Sequence, residues 1–247
     1  MQAVFFPFRL LYFIYVAIVF IVLMLLVLPV LLVAVPMGAI RGGNLLFHAC
    51  KIWSDVWMAL CGIYSPRIYA WKGPIPEKCI YVANHISYLD IPMIFKCVRK
   101  PIRILGKAEM AAVPVFGLIY KMAVVMVDRR SPEKRAASIR RLRAVLRSGI
   151  SIFLFPEGTF NETGAPLKEF FDGAFRLAIE MQVPVQPVLF PDTMERMHYK
   201  SLLELNPGKC RSVYLEPVPT EGLTMKDLPT LKAEVHRRME AGLLACR

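Results

Sequence analysis

A long uncharged segment near the start constrains this chain more than any other feature. From Leu10 to Ile40, between Arg9 and Arg41, the sequence contains no Asp, Glu, Lys or Arg. A helix needs about 20 apolar residues to cross the hydrocarbon core of a bilayer. The apolar part of a cleaved signal peptide is shorter, about 7–15 residues, and no small-residue cleavage site bounds this segment. The pattern therefore favours a membrane element that the mature protein retains.

Two prolines and a second apolar stretch determine the geometry we expect of this N-terminal part. Pro29 and Pro36 lie in the second half of the uncharged segment, and proline removes a backbone donor and clashes with the preceding turn. We expect either one span that ends near Pro29 or a kinked or re-entrant element. The stretch from Asn44 to Ile63 carries Trp53 and Trp57 on one helix face. It is typical of an interfacial helix packed on the first, or of an ordinary core helix.

The formal net charge of +12 limits the class of partner. Nucleic acid and anionic lipid headgroups both attract a basic surface. The sequence has no zinc-finger spacing and no aromatic-interleaved RNA-binding signature, so we expect a lipid bilayer as partner and no nucleic acid. The four histidines are scattered without ligand spacing, and we expect no metal site.

The cysteines bear on the cellular compartment. All six are dispersed and none forms a CxxC pair, which is typical of isolated thiols in a reducing compartment. Positive charge flanks the uncharged segment on both sides and does not define its orientation. The thiols agree with a domain on the cytoplasmic face of the membrane.

The hydrophobic pattern divides the chain at residue 64. We predict membrane-embedded or interfacial helices over residues 1–64 and an α/β domain over residues 65–247. Short β-branched runs in the second part alternate with helical windows, which favours a mixed, largely parallel sheet flanked by helices. The predicted strands are Cys79–Ala83, Ile102–Leu105, Ala123–Val127, Ser151–Phe155, Val183–Leu189 and Arg211–Leu215. The predicted helices are Ile91–Cys97, Pro132–Ser148, Gly173–Met181 and Lys226–Cys246.

A histidine and an aspartate five residues apart carry the first chemical signal. A predicted strand runs into His85, and Asp90 follows near a helix start. An imidazole can take a proton from a hydroxyl, and it does so best when a carboxylate holds its other nitrogen. A turn between the two residues would bring the carboxylate back onto the ring. The alternative is two unrelated polar residues at a strand exit.

A second signal follows another predicted strand. The apolar run Ile152–Phe155 ends abruptly in Pro156, Glu157, Gly158 and Thr159. Open α/β sheets bind ligands beyond the carboxyl ends of their strands. Gly158 allows close approach of the backbone to a ligand, while Glu157 suits either a substrate hydroxyl or the ordering of its own loop. The alternative is a plain turn with a solvated glutamate.

Four sequence blocks in order resemble the glycerolipid acyltransferase family typified by 1-acylglycerol-3-phosphate O-acyltransferase. The first two are Asn84-His85-Ile-Ser-Tyr-Leu-Asp90, and Gly106-Lys107-Ala-Glu109 through Val127-Asp128-Arg129. The other two are Phe155-Pro-Glu-Gly-Thr159 and Val183-Pro-Val-Gln-Pro187. The resemblance covers the chain from about Lys78 to Phe190.

The resemblance implies a membrane-bound enzyme that moves a fatty acyl group from acyl-CoA or acyl carrier protein to the hydroxyl of a lyso-lipid. The first acceptor that it implies is 1-acylglycerol-3-phosphate, giving phosphatidate, with no cofactor beyond the thioester co-substrate. The implied residues are His85 as general base, Asp90 as its partner, Lys107 and Arg129 at the acceptor phosphate, and Glu157, Gly158 and Thr159 around the acceptor. We expect this enzyme in the inner, cytoplasmic membrane with its active site on the cytoplasmic side.

Two positions depart from the family pattern. Phe160 stands where an arginine usually follows the threonine of the third block, and Asp172 stands where a basic residue is usual. Both changes remove positive charge near the expected headgroup site, so both residues are candidates for headgroup specificity. Two alternatives stay open on this ground: O-acylation of a lyso-aminolipid of the ornithine or glycine type, and a non-catalytic lipid-binding scaffold.

Overall fold

The structure is a computed structural model that describes residues 2–114, 116–127 and 132–246. Its α-helices are α1 (Gln2–Ala34), α2 (Gly38–Leu60), α3 (Asp90–Cys97), α4 (Phe116–Ala123), α5 (Pro132–Arg147), α6 (Gly173–Met181), α7 (Thr193–Arg196) and α8 (Leu228–Ala245). Its strands are β1 (Ile63–Tyr64), β2 (Arg67–Tyr69), β3 (Ile80–Ala83), β4 (Ile102–Lys107), β5 (Val124–Val127), β6 (Ser151–Leu154), β7 (Val185–Leu189), β8 (Gly208–Lys209) and β9 (Ser212–Tyr214).

The main sheet of the described chain has seven strands in the order β2-β9-β7-β3-β6-β4-β5. Every neighbouring pair is parallel except β7 and β9, which are antiparallel. The strands β1 and β8 form a separate parallel pair. The prediction of a mixed, largely parallel sheet flanked by helices is confirmed, and the helices α3, α4, α5 and α6 connect successive parallel strands from β3 to β7.

The elements that the sequence pattern missed are short. The six predicted strands and four predicted helices are all present, with ends shifted by one or two residues. The helix α4 was missed because its eight residues form an apolar run directly before β5, where periodicity alone does not separate helix from strand. The strands β1, β2 and β8 have only two or three residues each.

The first helix corrects the expectation of a span that ends near Pro29. It continues through Pro29 to Ala34, and the chain turns at Pro36 instead. A proline costs a helix one backbone hydrogen bond and disfavours helical geometry at the residue before it, and the long helix tolerates both effects at Pro29. The segment Pro7–Ala34 is long and apolar enough to cross a membrane by length and composition.

The helices α1 and α2 form an antiparallel hairpin. Phe20 of α1 lies against Trp53 and Trp57 of α2, with ring centroids 5.2 and 5.7 Å apart. Only 5% of Trp53 and 4% of Trp57 is exposed, so both tryptophans belong to the protein core and not to a headgroup layer. The second helix therefore packs on the first, as expected of an interfacial helix, but its tryptophans are buried, as expected of an ordinary core helix.

The hairpin and one face of the sheet share a single apolar core. In β3, Tyr81 and Ala83 face this core, while Ile80 and Val82 face a second core beneath α5, α6 and α8. Because side chains alternate along a strand, the residue two positions after Ala83 continues toward the hairpin side. That residue is His85. The division of the chain at residue 64 stays a prediction.

Candidate active site

Two neighbouring strands place the third sequence block, which contains Glu157, next to the first block, which contains His85. β3 and β6 are parallel, with Val82 opposite Leu154, so both end at the same edge of the sheet. His85 follows the end of β3, and Glu157 follows the end of β6. The site therefore lies beyond the carboxyl ends of central strands, as expected of an open α/β sheet.

His85 and Asp90 are in direct contact. The Nδ1 atom of His85 lies 2.8 Å from Oδ2 of Asp90, which is the first residue of α3 and fully buried. The same oxygen accepts the backbone N–H groups of Ile86 at 2.8 Å and Ser87 at 2.9 Å. Because this carboxylate oxygen is an acceptor, we assign the imidazole proton to Nδ1, which leaves the Nε2 lone pair available as a base.

Two phenylalanines hold the His85 ring in place. Phe155 stacks on one face, with ring centroids 3.9 Å apart and planes 8° apart. Phe160 meets the ring with its edge, at 4.4 Å and 65°. With Asp90 on Nδ1, these contacts restrict rotation of the imidazole. Phe160, a candidate for headgroup specificity, thus contacts the proposed base directly.

Glu157 links the histidine to the loop that follows β6. Its Oε1 accepts the backbone N–H of His85 at 2.8 Å, and its Oε2 accepts that of Lys168 at 2.9 Å. The residue is 1% exposed, and burial raises the pKa of its carboxyl to about 7. Since both oxygens are engaged by backbone amides, these contacts favour the ordering of the loop over a contact with a substrate hydroxyl.

A cavity of about 440 Å³ opens beside the histidine. Its lining includes the predicted site residues His85, Lys107, Gly158, Thr159 and Phe160. Gly158 adopts a φ of 73°, a left-handed conformation that side chains rarely adopt. The lining also includes Met24 of α1 and Trp53 of α2. The apolar hairpin and the polar residues of the site therefore share one cavity.

Asp90 and Glu157 contact His85 without lining the cavity themselves, and two further predicted residues are not placed at the site by the described structure. Asp172 pairs with Lys232 of α8 at 2.7 Å and does not line the cavity, so its assignment to headgroup specificity is not supported. The reason is that the chain turns into α6 at this position, which directs Asp172 toward α8. Arg129, predicted at the acceptor phosphate, lies outside the described residues.

Two residues of the first block support the site through hydrogen bonds that the sequence pattern did not indicate. The side-chain amide of Asn84 donates to the Phe190 carbonyl at 3.0 Å and accepts the Phe190 N–H at 2.8 Å, which ties the end of β3 to the end of β7. The Ser87 hydroxyl donates to the Met197 carbonyl at 2.6 Å and is fully buried. Both residues lie inside the first block, but their partners are more than 100 residues away, and only the fold reveals them.

Among the described residues, no three His, Cys, Asp or Glu side chains are grouped so as to hold a metal ion. The six cysteines are free, five of them buried and Cys246 partly buried.

Comparison with known proteins gives consistent relatives. A family model described as Acyltransferase matches residues 70–190. Human 1-acyl-sn-glycerol-3-phosphate acyltransferase alpha is 30% identical over 213 residues, which cover 84% of this chain and 74% of that protein. The 1-acyl-sn-glycerol-3-phosphate acyltransferase of Cocos nucifera is 29% identical over 77% of this chain and 60% of its own length.

A solved structure supports the fold. The crystal structure of the 1-acyl-sn-glycerophosphate (LPA) acyltransferase PlsC from Thermotoga maritima superposes with a TM-score of 0.75. It covers all of this chain and 98% of that one at 22% sequence identity, which bears on the fold alone.

Proposed function

Since the chain belongs to the acyltransferase family and is an enzyme of the 1-acylglycerol-3-phosphate O-acyltransferase type, we propose its acceptor, donor and location. The acceptor is 1-acylglycerol-3-phosphate, and the product is phosphatidate. The donor is a thioester, acyl-CoA or acyl carrier protein. The reaction takes place at the cytoplasmic side of a membrane.

The single observation that carries this proposal is the His85–Asp90 pair, whose histidine lines a largely apolar cavity. The Nε2 atom of His85 removes the proton of the acceptor hydroxyl as its oxygen attacks the thioester carbonyl. Asp90, held by two backbone amides, stabilises the imidazolium that forms. Collapse of the tetrahedral intermediate breaks the carbon–sulfur bond, and His85 returns the proton to the leaving thiolate.

The apolar part of the cavity supports a lipid substrate. The cavity is lined by Met24 and Trp53 of the helical hairpin as well as by His85, and a fatty acyl chain can replace water in it. The outward face of α1 exposes large apolar side chains, among them Leu11, Leu26 and Leu32. An exposed apolar surface of this kind supports attachment to a bilayer, which would bring an insoluble acceptor to the site.

The cation Lys107 at the cavity favours a phosphate-bearing acceptor. Lys107 ends β4 and lines the cavity, and its carbonyl is held by the Tyr120 hydroxyl at 2.8 Å. The lyso-aminolipid alternative relied partly on Asp172 as a partner for an ammonium group. Because Asp172 pairs with Lys232, Phe160 is the remaining residue that supports this alternative.

The test is transfer of a radiolabelled acyl group by the purified, detergent-solubilised protein. Lysophosphatidate and a lyso-aminolipid are offered side by side, each with acyl-CoA and with acyl carrier protein, and His85→Ala is the control. We expect phosphatidate as the main product and no transfer by the variant. Preferential acylation of the aminolipid would overturn the acceptor, and failure to acylate any acceptor would favour a lipid-binding scaffold.

A further inference from the structure

A lysine that the family resemblance does not point to lies beside the third block. The Nζ atom of Lys168 donates to the Thr159 hydroxyl at 2.6 Å and to the Phe160 carbonyl at 3.4 Å. Thr159 and Phe160 both line the cavity that contains His85. The ammonium group therefore lies against the backbone of the very residue where the family pattern has an arginine.

The position of Lys168 is fixed relative to the proposed base. One carboxylate, that of Glu157, accepts the backbone N–H of Lys168 and the backbone N–H of His85. On the other side of the residue, the Lys168 carbonyl lies 3.2 Å from Nε2 of His236 in α8. Because hydrogen bonds hold both the N–H and the carbonyl of Lys168, the backbone from which its side chain extends has a fixed position relative to His85.

Within the described residues, the charge of Lys168 interacts with the Glu157 carboxylate without forming a direct ion pair with it. None of their carboxylates forms an ion pair with its ammonium, and its two hydrogen bonds leave one of the three N–H donors available. The nearby negative charge of Asp172 is taken up by Lys232. Lys168 does not itself line the cavity, but its ammonium is hydrogen-bonded to two residues that do, and its remaining donor suits a phosphate oxygen bound next to them.

We propose that Lys168 binds the phosphate of the acceptor and replaces the arginine that Phe160 displaced. The positive charge then comes from Lys168, whose ammonium lies at the backbone of Phe160. Phe160 is thereby released to pack on His85 and on Tyr88, whose ring centroid lies 4.9 Å from its own. This inference rests on the proposed function, since it names a residue that recognises the acceptor of that reaction.

The first experiment measures kinetics with two acceptors. Lys168→Met is compared with the wild type on lysophosphatidate and on monoacylglycerol, which has the same hydroxyl and no phosphate. We expect KM for lysophosphatidate to rise about 10- to 100-fold, as for loss of a charge-assisted hydrogen bond, with kcat within about 3-fold. Monoacylglycerol kinetics should not change. Lys168→Arg should keep most of the wild-type KM, and Lys232→Met controls for loss of a positive charge outside the cavity.

A charge relocation separates recognition from loop structure. Phe160→Arg combined with Lys168→Met returns the cation to the family position, and we expect KM for lysophosphatidate to recover at least about 5-fold relative to Lys168→Met alone. An equal loss on both acceptors, or no recovery on relocation, would mean that Lys168 only supports the loop and would overturn the inference.

Binding without a donor keeps this inference separable from the proposed reaction. Equilibrium binding of lysophosphatidate in mixed micelles is measured for the wild type and for Lys168→Met, and we expect about 10-fold or greater weakening in the variant. Weakened binding supports the role of Lys168 even if the wild type transfers no acyl group, which would defeat only the proposed reaction. Equal binding by both proteins, or no binding by either, overturns the role of Lys168.

Discussion

The imidazole of His85 lies flat on the ring of Phe155, with the ring centroids 3.9 Å apart and the ring planes only 8° apart. Phe155 is the last apolar residue before the turn that carries Glu157, so a strand neighbouring β3 supplies the surface on which the proposed base rests. Contact with one face of the imidazole leaves its ring-edge nitrogens free, one for Asp90 and the other for a substrate hydroxyl.

Replacing Phe155 should therefore slow the chemical step. We expect Phe155→Ala to lower kcat about 10- to 100-fold with a smaller change in KM, because a loosened imidazole spends less time in the reactive geometry. Steady-state kinetics with lysophosphatidate measure both constants. Phe171→Ala, at a ring that is 61% exposed, is the matched control. An unchanged kcat in Phe155→Ala would show that Asp90 alone positions the ring.

The Asp90 carboxylate should be needed as a charge and not only as a hydrogen-bond acceptor. An asparagine can keep the contacts with the backbone amides of Ile86 and Ser87, but it does not stabilise an imidazolium. We expect Asp90→Asn to lower kcat by about 10³-fold or more with the fold intact. Circular dichroism and kinetics on the same preparation test this. Near-normal turnover in a folded variant would remove Asp90 from the mechanism.

Phe160 should not by itself determine the choice of headgroup. If Lys168 supplies the cation, the wild type already prefers lysophosphatidate, and Phe160→Arg leaves that preference over a lyso-aminolipid unchanged within about 3-fold. Competition between the two acceptors in one reaction measures the ratio directly. A wild type that prefers the aminolipid, with a reversal in Phe160→Arg, would instead make Phe160 the headgroup switch.

Glu157 should make stability depend on pH. Its pKa of about 7 in the folded chain exceeds the value of about 4.3 for an ordinary glutamate, so the folded chain binds this proton more tightly than the unfolded chain. The contribution to the free energy of unfolding is complete below about pH 4 and is lost as the pH rises through about 7, by up to about 3 kcal/mol. Denaturant unfolding in detergent at pH 5 and pH 8 should show this loss in the wild type. The loss should be smaller in Glu157→Gln. An equal change in the free energy of unfolding between pH 5 and pH 8 in the two proteins would contradict the prediction.

Arg103 should anchor the helical hairpin to the sheet. It is 4% exposed, and one of its terminal nitrogens donates to the carbonyls of Ala39 at 2.8 Å and Ile40 at 3.0 Å, at the start of α2. Gly43 leaves the space that this guanidinium fills, because a Cβ there would lie 2.4 Å from it. We expect Arg103→Met to lower the free energy of unfolding by about 1–3 kcal/mol, since it removes a charged donor from the carbonyls of Ala39 and Ile40.

Thermal unfolding in detergent measures the effect of Arg103→Met. The exposed Arg99→Met is the control for loss of a positive charge. A variant as stable as the wild type would mean that the apolar packing of α2 suffices to hold the hairpin.

The residues that the sequence determined by itself are those whose partners are close along the chain. The His85–Asp90 contact was predicted because five residues span one turn from a strand end to a helix start, and the intervening amides close onto the carboxylate. The mixed sheet and the apolar N-terminal helix followed from periodicity and length. These features depend on local geometry, which the order of residues encodes directly.

The tertiary structure decided every role that depends on distant partners. Glu157 reaches His85 across 72 residues only because β6 pairs with β3, and strand order is not written in a hydrophobic pattern. Asp172 forms an ion pair with Lys232, 60 residues away, which the sequence pattern did not indicate. Lys168 reached Thr159 through the path of a loop that no periodicity describes. The sequence determines the type of each side chain, but the fold determines which charged or aromatic groups lie next to it.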